Sequence, residues 1–275
     1  MSDTVWVRME ANHHRPSSFS VRADDAPAVP ARALFDERAV ADAARRFSTP
    51  ADTGDLLSWV VETFGDRWVL ASTWQHAVII DHLARITDRV PVCELDTGLL
   101  FPSTHDTRQR IMERYALDVV SVRPAQTVPQ QADAHGVELW RSDPDLCCDL
   151  RKVQPLRAEL SRYDAWVTGL RREQVATRRS AATVELDERH RMVKVNPLAH
   201  WTRDELWRYI DEHDVPYNPM LRNGFPSIGC APCTHAVREG ADERSGRWAG
   251  TNKIECGLHG GDTPAAVEET DAPAV

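Results

Sequence analysis

The chain has 275 residues, 42% hydrophobic and 27% charged, a balance that suits a folded globular protein and excludes disorder throughout. No apolar run reaches the roughly 18 residues a membrane-spanning helix needs, and the start, "MSDTVWVRMEANHH", lacks the basic-then-apolar layout of a signal peptide. The net charge of −9 argues against a general nucleic-acid binder, yet "RRFS", "GLRREQVATRR" and "ERSGRW" concentrate cations enough for a local pocket to hold a small anion.

Residues 1–50 are expected to form an N-terminal extension, flexible up to about residue 35, where Pro, Ala, Ser and charge dominate. "DERAVADAARRF" and "DLLSWVVETFG" carry apolar residues at helical spacing and read as surface helices, the second ended by Gly65. Then short apolar strands alternate with amphipathic helices: "RWVLAS", "HAVIIDHLARI", "VPVCELDTG", "PSTHDTRQRIMERYA", "LDVVSVRP", "DAWVTGL", "MVKVNPL". This alternation predicts an α/β fold over residues 51–215, a mainly parallel sheet flanked by helices. In such sheets ligands sit at the carboxyl ends of the strands, so Ser72, Thr73, Asp96 to Gly98, Arg123, Gly169 to Arg172 and Asn196 become candidates. "TRDELWRYIDEH" is a helix with Thr202 as its N-cap. From residue 216 to 260 the chain turns irregular, rich in Pro, Gly and Asn, and residues 261–275 are expected to be a disordered tail.

The six cysteines are not alike. Cys93 lies inside an apolar strand and reads as a small buried hydrophobe. Cys147 and Cys148 are adjacent, and Cys230 and Cys233 form a C-x-x-C, together the ligand count of a structural zinc site or of a [4Fe-4S] cluster. Zinc pairs usually come as C-x(2–4)-C, whereas adjacent cysteines diverge and suit separate metal atoms, which favours the cluster over zinc and a redox C-x-x-C. In the cytoplasm, the expected location, cysteines more often bind metal or do chemistry than form structural disulfides. Lys152, four residues past Cys148 on a helix, faces the same side as that thiol. Cys256 is different again: "IECGLHGG" sets it beside glycines and three residues from His259, which suits a thiolate that travels. Arg244 and Arg247, three apart, can face one pocket.

"LDTG" followed by "FP", "CC" followed by "RKVQPL", "WVTGLRR", "KVNPLAHW", "VPYNPM", "SIGCAPCT", "DERSGRW" and "ECGLH", in this order, resemble the assimilatory adenylyl sulfate reductases, thioredoxin-dependent enzymes of the phosphoadenylyl sulfate reductase family. The resemblance runs from about residue 53 to 260. It implies an adenine nucleotide alpha hydrolase-like fold related to ATP pyrophosphatases, with residues 51–215 as a nucleotide-binding core and 216–260 as a mobile catalytic segment carrying the second cysteine pair.

Residue by residue, the resemblance implies Cys256 as nucleophile and Cys147, Cys148, Cys230 and Cys233 as ligands of a [4Fe-4S] cluster. It implies Lys152 as a bridge between cluster and substrate, Arg178, Arg244 and Arg247 as holders of the phosphosulfate, and His259 in the matching C-terminal segment. Ser72, Leu95 and Gly169 fall where the family contacts adenosine, although "ASTWQHAVI" is shorter and less glycine-rich than the family's usual loop. The implied reaction is attack of Cys256 on the sulfuryl sulfur of adenosine 5'-phosphosulfate, loss of AMP, and release of sulfite by thioredoxin. A 3'-phosphorylated substrate is the neighbouring alternative; members specialised for it typically lack the two cysteine pairs. Association into a homo-oligomer is left open by the sequence.

Overall fold

Five of the strands run parallel, and the central ones are buried on both faces, so their sequences read as apolar runs rather than alternations. A computed structural model describes residues 37–238 and 240–258. In it β1 (Trp68–Ser72), β2 (Val90–Leu95), β3 (Leu117–Val122), β4 (Ala165–Thr168), β5 (Val184–Asp187) and β6 (Met192–Val195) form one sheet in the order β3-β2-β1-β4-β6-β5. The mainly parallel, helix-flanked sheet is the one expected. Only β5 was not foreseen; it pairs antiparallel with β6 across a turn in which Arg191 takes φ 53°. Its sequence, "VELD", is half charged and sits at the sheet edge, which hides the strand signal.

The helices are α1 (Glu37–Arg46), α2 (Thr53–Phe64), α3 (Val78–Leu83), α4 (Pro102–Arg114), α5 (Val128–His135), α6 (Leu139–Ser142), α7 (Pro144–Cys148), α8 (Gln154–Leu160) and α9 (Arg203–Glu212). Alternate strand residues feed two cores. Leu70, Val92, Val167 and Val193 join Leu57 and Val60 of α2, Ile80 and Leu83 of α3, and Ile210 of α9 on one face. Val69, Cys93 and Trp166 meet Leu156 and Leu160 of α8 on the other. Residues 37–47 lie before the boundary expected at residue 50, yet Val40, Ala43 and Phe47 are buried in the larger core. The rest of the expected extension, residues 1–36, and the tail 261–275 lie outside the described residues.

Local signals explain the helix ends. Thr202 accepts from the Glu205 backbone N–H while Glu205 accepts from the Thr202 N–H, closing a capping box on α9. For α2 the N-cap position is Asp52, whose carboxylate turns back to the Thr49 N–H at 2.9 Å. Thr53 instead accepts from the buried Trp201 indole at 2.9 Å, tying α2 to the start of α9.

Between α3 and α9, the His82 ring stacks on Tyr209 with centroids 4.5 Å apart and meets Trp201 edge-on. Burial, the largest influence, lowers its pKa to about 4. The unfolded chain therefore takes up this proton from about pH 6.5 downward while the folded one does not until about pH 4, so stability is full above that window and lost as pH falls through it. His82→Phe keeps the aromatic packing and removes the proton; it is expected to flatten the fall in urea midpoint across that window. Leu57→Ala, at a fully buried position, is expected to lower stability by about 2–5 kcal/mol in urea unfolding at neutral pH.

Candidate active site

The strand order reverses between β1 and β4: the chain lays β2 and β3 to one side of β1, then crosses over to add β4 on the other. The loops leaving neighbouring strands diverge there and leave a crevice. A cavity of about 200 Å³ occupies this place, with Ser72 and Thr73 from the end of β1, Leu95 from β2, and Gly169 and Leu170 from β4 in its wall. Five other post-strand candidates, Asp96, Gly98, Arg123, Arg172 and Asn196, do not line it. Arg123 lies on the surface paired with Asp96 at 3.1 Å, Arg172 donates to the Ala181 carbonyl, and Asn196 is spent on Thr168 and the Ala182 carbonyl.

The same cavity is lined by Lys152, Arg171, Arg178, Arg244, Arg247 and the partly buried Cys256. So many cations in one buried wall need holding. Arg171 grips Glu243 through two hydrogen bonds of 2.9 and 2.7 Å, which fixes the residue before Arg244 to the end of β4. Arg244 and Arg247 both reach the Ser227 hydroxyl at 3.4 Å. Their Nε atoms, with that of Arg171, are buried donors with no hydrogen-bond partner among the described residues. Burial, helped by the charge of Arg178, lowers the pKa of Arg244 to about 10. Donors left over in a region of surplus positive charge mark an anion site.

Gly229 owes its identity to this wall. A Cβ there would lie 2.0 Å from Nη2 and 2.4 Å from Cζ of Arg247, so the guanidinium lies directly against a backbone that only glycine keeps open. Trp248 backs the cations: the Arg247 guanidinium stands 4.7 Å from its ring centre, and Lys152, Arg244 and Lys253 each stand at 5.7 Å.

Behind Lys152 lies a second, smaller chamber. Cys147, Cys148, Cys230 and Cys233, all buried, line it together with Leu99, Trp140 and Pro144. Two far-apart segments meet here because Cys230 pairs with Leu100 as an isolated antiparallel bridge, with Ala231 N–H donating to the Leu99 carbonyl at 2.7 Å. Among the described residues no three of His, Cys, Asp and Glu are arranged for a single metal ion; the four thiols surround a common void instead. Burial raises the thiol pKa of Cys147 and Cys148, and of Cys233 to about 11, so ionising them together requires compensating positive charge, which a metal centre supplies.

Immediately after Cys148 the helix widens into a π turn, Asp149–Val153, before α8 resumes. The extra residue in the turn buries Arg151 and Lys152 side by side. Lys152 lines both chambers and so forms part of the wall between them. Burial opposes its charge, but Cys230, Cys148 and Cys256 together raise its pKa above the ordinary lysine value.

The structure thus brings together every site residue that the family resemblance implies except His259, which lies outside the described residues. It also adds Gln131, Arg151 and Glu255, and gives a partner to Thr97, already a candidate after β2. Thr97 places its hydroxyl 3.3 Å from the Cys230 sulfur, Gln131 places its amide 3.9 Å from that of Cys147, and Arg151 holds the Thr97 carbonyl at 2.6 Å and Gln131 at 3.0 Å. Thr97 and Arg151 adjoin residues the motifs already mark; Gln131, in the polar helix α5, carries no such signal. Glu255 has no signal in the sequence that sets it apart from its neighbour Cys256. Its carboxylate takes Arg178 through bonds of 2.6 and 2.9 Å and Arg244 through one of 2.9 Å.

Comparison with known proteins gives the family. Residues 68–236 match the family model described as the phosphoadenosine phosphosulfate reductase domain, and the chain belongs to that family. A curated protein of Streptomyces coelicolor named adenosine 5'-phosphosulfate reductase is 44% identical over 81% of this chain and 94% of its own length. One of Mycobacteroides abscessus with the same name is 47% identical over the same shares. The crystal structure of phosphoadenylyl-sulfate reductase from Candida auris, a phosphate complex, superposes with a TM-score of 0.62 at 26% identity, covering 75% of this chain and all of that one.

Gly229→Ala is expected to displace the Arg247 guanidinium and weaken binding of AMP and of inorganic sulfate about tenfold by calorimetry, with unchanged circular dichroism.

Proposed function

We propose that the protein reduces adenosine 5'-phosphosulfate to sulfite and AMP in assimilatory sulfate reduction, with both electrons taken from thioredoxin or a similar dithiol protein. The observation that carries the reading is the sharing of one switch-point cavity by the Cys256 thiol, a lysine and five arginines, Arg203 among them, with a four-thiol chamber directly behind the lysine. The names of the relatives in Streptomyces coelicolor and Mycobacteroides abscessus support the unphosphorylated nucleotide. The family description and the Candida auris structure name the 3'-phosphorylated one, which remains the second reading.

In the proposed mechanism the adenosine lies against Ser72, Leu95 and Gly169, and the phosphosulfate lies toward Lys152, Arg178, Arg244 and Arg247. Arginine suits these oxyanions because its planar fork donates in pairs and stays charged. The Cys256 thiolate attacks the sulfuryl sulfur; a sulfur–sulfur bond forms, the bond from sulfur to the AMP oxygen breaks, and AMP leaves with that electron pair, its charge held by the arginines. One thioredoxin thiolate then attacks the Cys256 sulfur, sulfite departs with the electrons of the sulfur–sulfur bond, and the second thioredoxin thiol frees Cys256 from the mixed disulfide. The two steps need Cys256 first in the cavity and then in reach of a protein, which requires residues 249–258 to move.

The four buried thiols fit a [4Fe-4S] cluster held by Cys147, Cys148, Cys230 and Cys233: they surround a void, and Thr97 and Gln131 reach two of the sulfurs. When bound, the cluster supplies a fixed charge distribution behind Lys152, and the dithiol supplies the electrons. No helix among the described residues is long and apolar enough to cross a membrane.

The test is sulfite release by anaerobically purified protein with thioredoxin, offered adenosine 5'-phosphosulfate and its 3'-phosphorylated analogue in parallel. Release from the former is expected, with Cys256→Ser abolishing it and leaving AMP affinity in place; preference for the analogue would overturn the substrate assignment. The anaerobic protein is expected to be brown with absorbance in the visible blue, and Cys230→Ser colourless. Lys152→Ala is expected to lower turnover about 100-fold without loss of colour; an unchanged rate would remove the lysine from the mechanism.

A further inference from the structure

Arg178 and Arg244 are not waiting for an anion; they already hold one. The Glu255 carboxylate lies between them with both oxygens engaged, at 2.6 and 2.9 Å to Arg178 and 2.9 Å to Arg244. Each arginine side chain is only 8% exposed, and Glu255 is 22% exposed. This is the forked, charge-assisted geometry that arginines give to the oxygens of a phosphate or sulfate. Arg178 spends its remaining nitrogen on Gln174 at 2.7 Å, which fixes the plane of the fork.

Glu255 is also the residue before Cys256. The other ties on this stretch lie off the ion-paired carboxylate: Arg244 reaches the Ile254 carbonyl at 3.4 Å, Arg189 on the surface reaches the Gly257 carbonyl at 3.0 Å, Lys253 pairs with Asp145, Cys256 and Leu258 pack on neighbouring buried residues, and Gly257 turns the chain at φ +85°. The carboxylate, held by three charge-assisted hydrogen bonds one residue from Cys256, is the ionic anchor nearest the thiol. The local field agrees, for although burial opposes ionisation of Glu255, Arg178 and Arg244 hold its pKa below the ordinary value.

We infer that Glu255 is a positioning residue that acts as an internal anion: it occupies the Arg178–Arg244 pair when no nucleotide is bound, and the sulfate or phosphate oxygens of a ligand must displace it. The inference rests on the proposed reading only for the identity of the ligand. Its consequence is an exchange. With the arginines free of ligand, Glu255 docks Cys256 in a sheltered position and balances their charge. With ligand oxygens on the same donors, the carboxylate is released and the Cys256 segment is free to move. One residue thereby couples occupancy of the anion site to mobility of the nucleophile, and the cost is a weaker apparent affinity, since every ligand competes with a tethered carboxylate.

The test uses the anaerobic full-length holoprotein, with two readouts that need no turnover: AMP affinity by calorimetry, and the rate at which iodoacetamide labels the Cys256 peptide, followed by mass spectrometry. Glu255→Gln is expected to bind AMP about tenfold more tightly than wild type and to be labelled at Cys256 several-fold faster without ligand. Inorganic sulfate is expected to speed labelling of wild type and to have little effect on Glu255→Gln. Glu255→Asp, which keeps the charge on a shorter arm, is expected to fall between the two. A merely structural lesion would weaken AMP binding, so tighter binding separates competition from damage. Equal or weaker AMP binding by Glu255→Gln, or equal labelling rates of the two ligand-free proteins, would overturn the inference. Failure of every variant to bind AMP would sink the nucleotide reading instead, and the labelling arm would then decide the role of Glu255 alone.

Discussion

The constraint from which the site follows is charge balance around one buried cavity. Lys152, Arg171, Arg178, Arg244 and Arg247 share its wall, all with little exposure to water. Cations so placed must meet anions or leave costly unpaired donors. The chain answers differently for each: Glu243 is given to Arg171, Glu255 to Arg178 and Arg244, the indole face of Trp248 to Arg247, and the sulfur-lined chamber to Lys152. The donors that stay unmatched belong to arginines that line the cavity, which fits the site to a small, highly charged ligand.

The sheet makes this wall possible. A reversal of strand order leaves space beside the ends of β1 and β4 without any insertion, and the Arg171–Glu243 fork pins the irregular stretch that carries Arg244 and Arg247 across that space. The second cysteine pair is positioned by a similar economy: one antiparallel bridge between Leu100 and Cys230 brings residues some 80 apart from the Cys147–Cys148 pair into its chamber. The π turn that follows Cys148 then puts Lys152 in the partition. Lys152 is thus as much a product of helix irregularity as of helical spacing.

Much of this was legible beforehand. Parallel strands buried on both faces announce themselves as apolar runs, and the capping box at Thr202 and the stop at Gly65 mark helix ends by chemistry that is local in sequence. Cysteine spacing and the clustered arginines pointed to the residues that the structure gathers around the two chambers. What escaped was charged or polar and depended on remote partners: the edge strand β5, the Gln131 contact with Cys147, and the packing of residues 37–47 on the larger core.

The sequence by itself determined the kind of protein: an α/β sheet, two cysteine pairs, a basic pocket and a cysteine near the end of the chain. These are encoded in periodicity and spacing, which act over a few residues. Only the tertiary structure decided how the charges are shared out, that Arg171 holds a glutamate while Arg247 leans on Gly229, and that the carboxylate next to Cys256 closes on the very arginines expected to hold substrate. Which buried cation meets which anion is a question of distances between segments far apart in the chain, and in a low-dielectric interior those distances govern the energy.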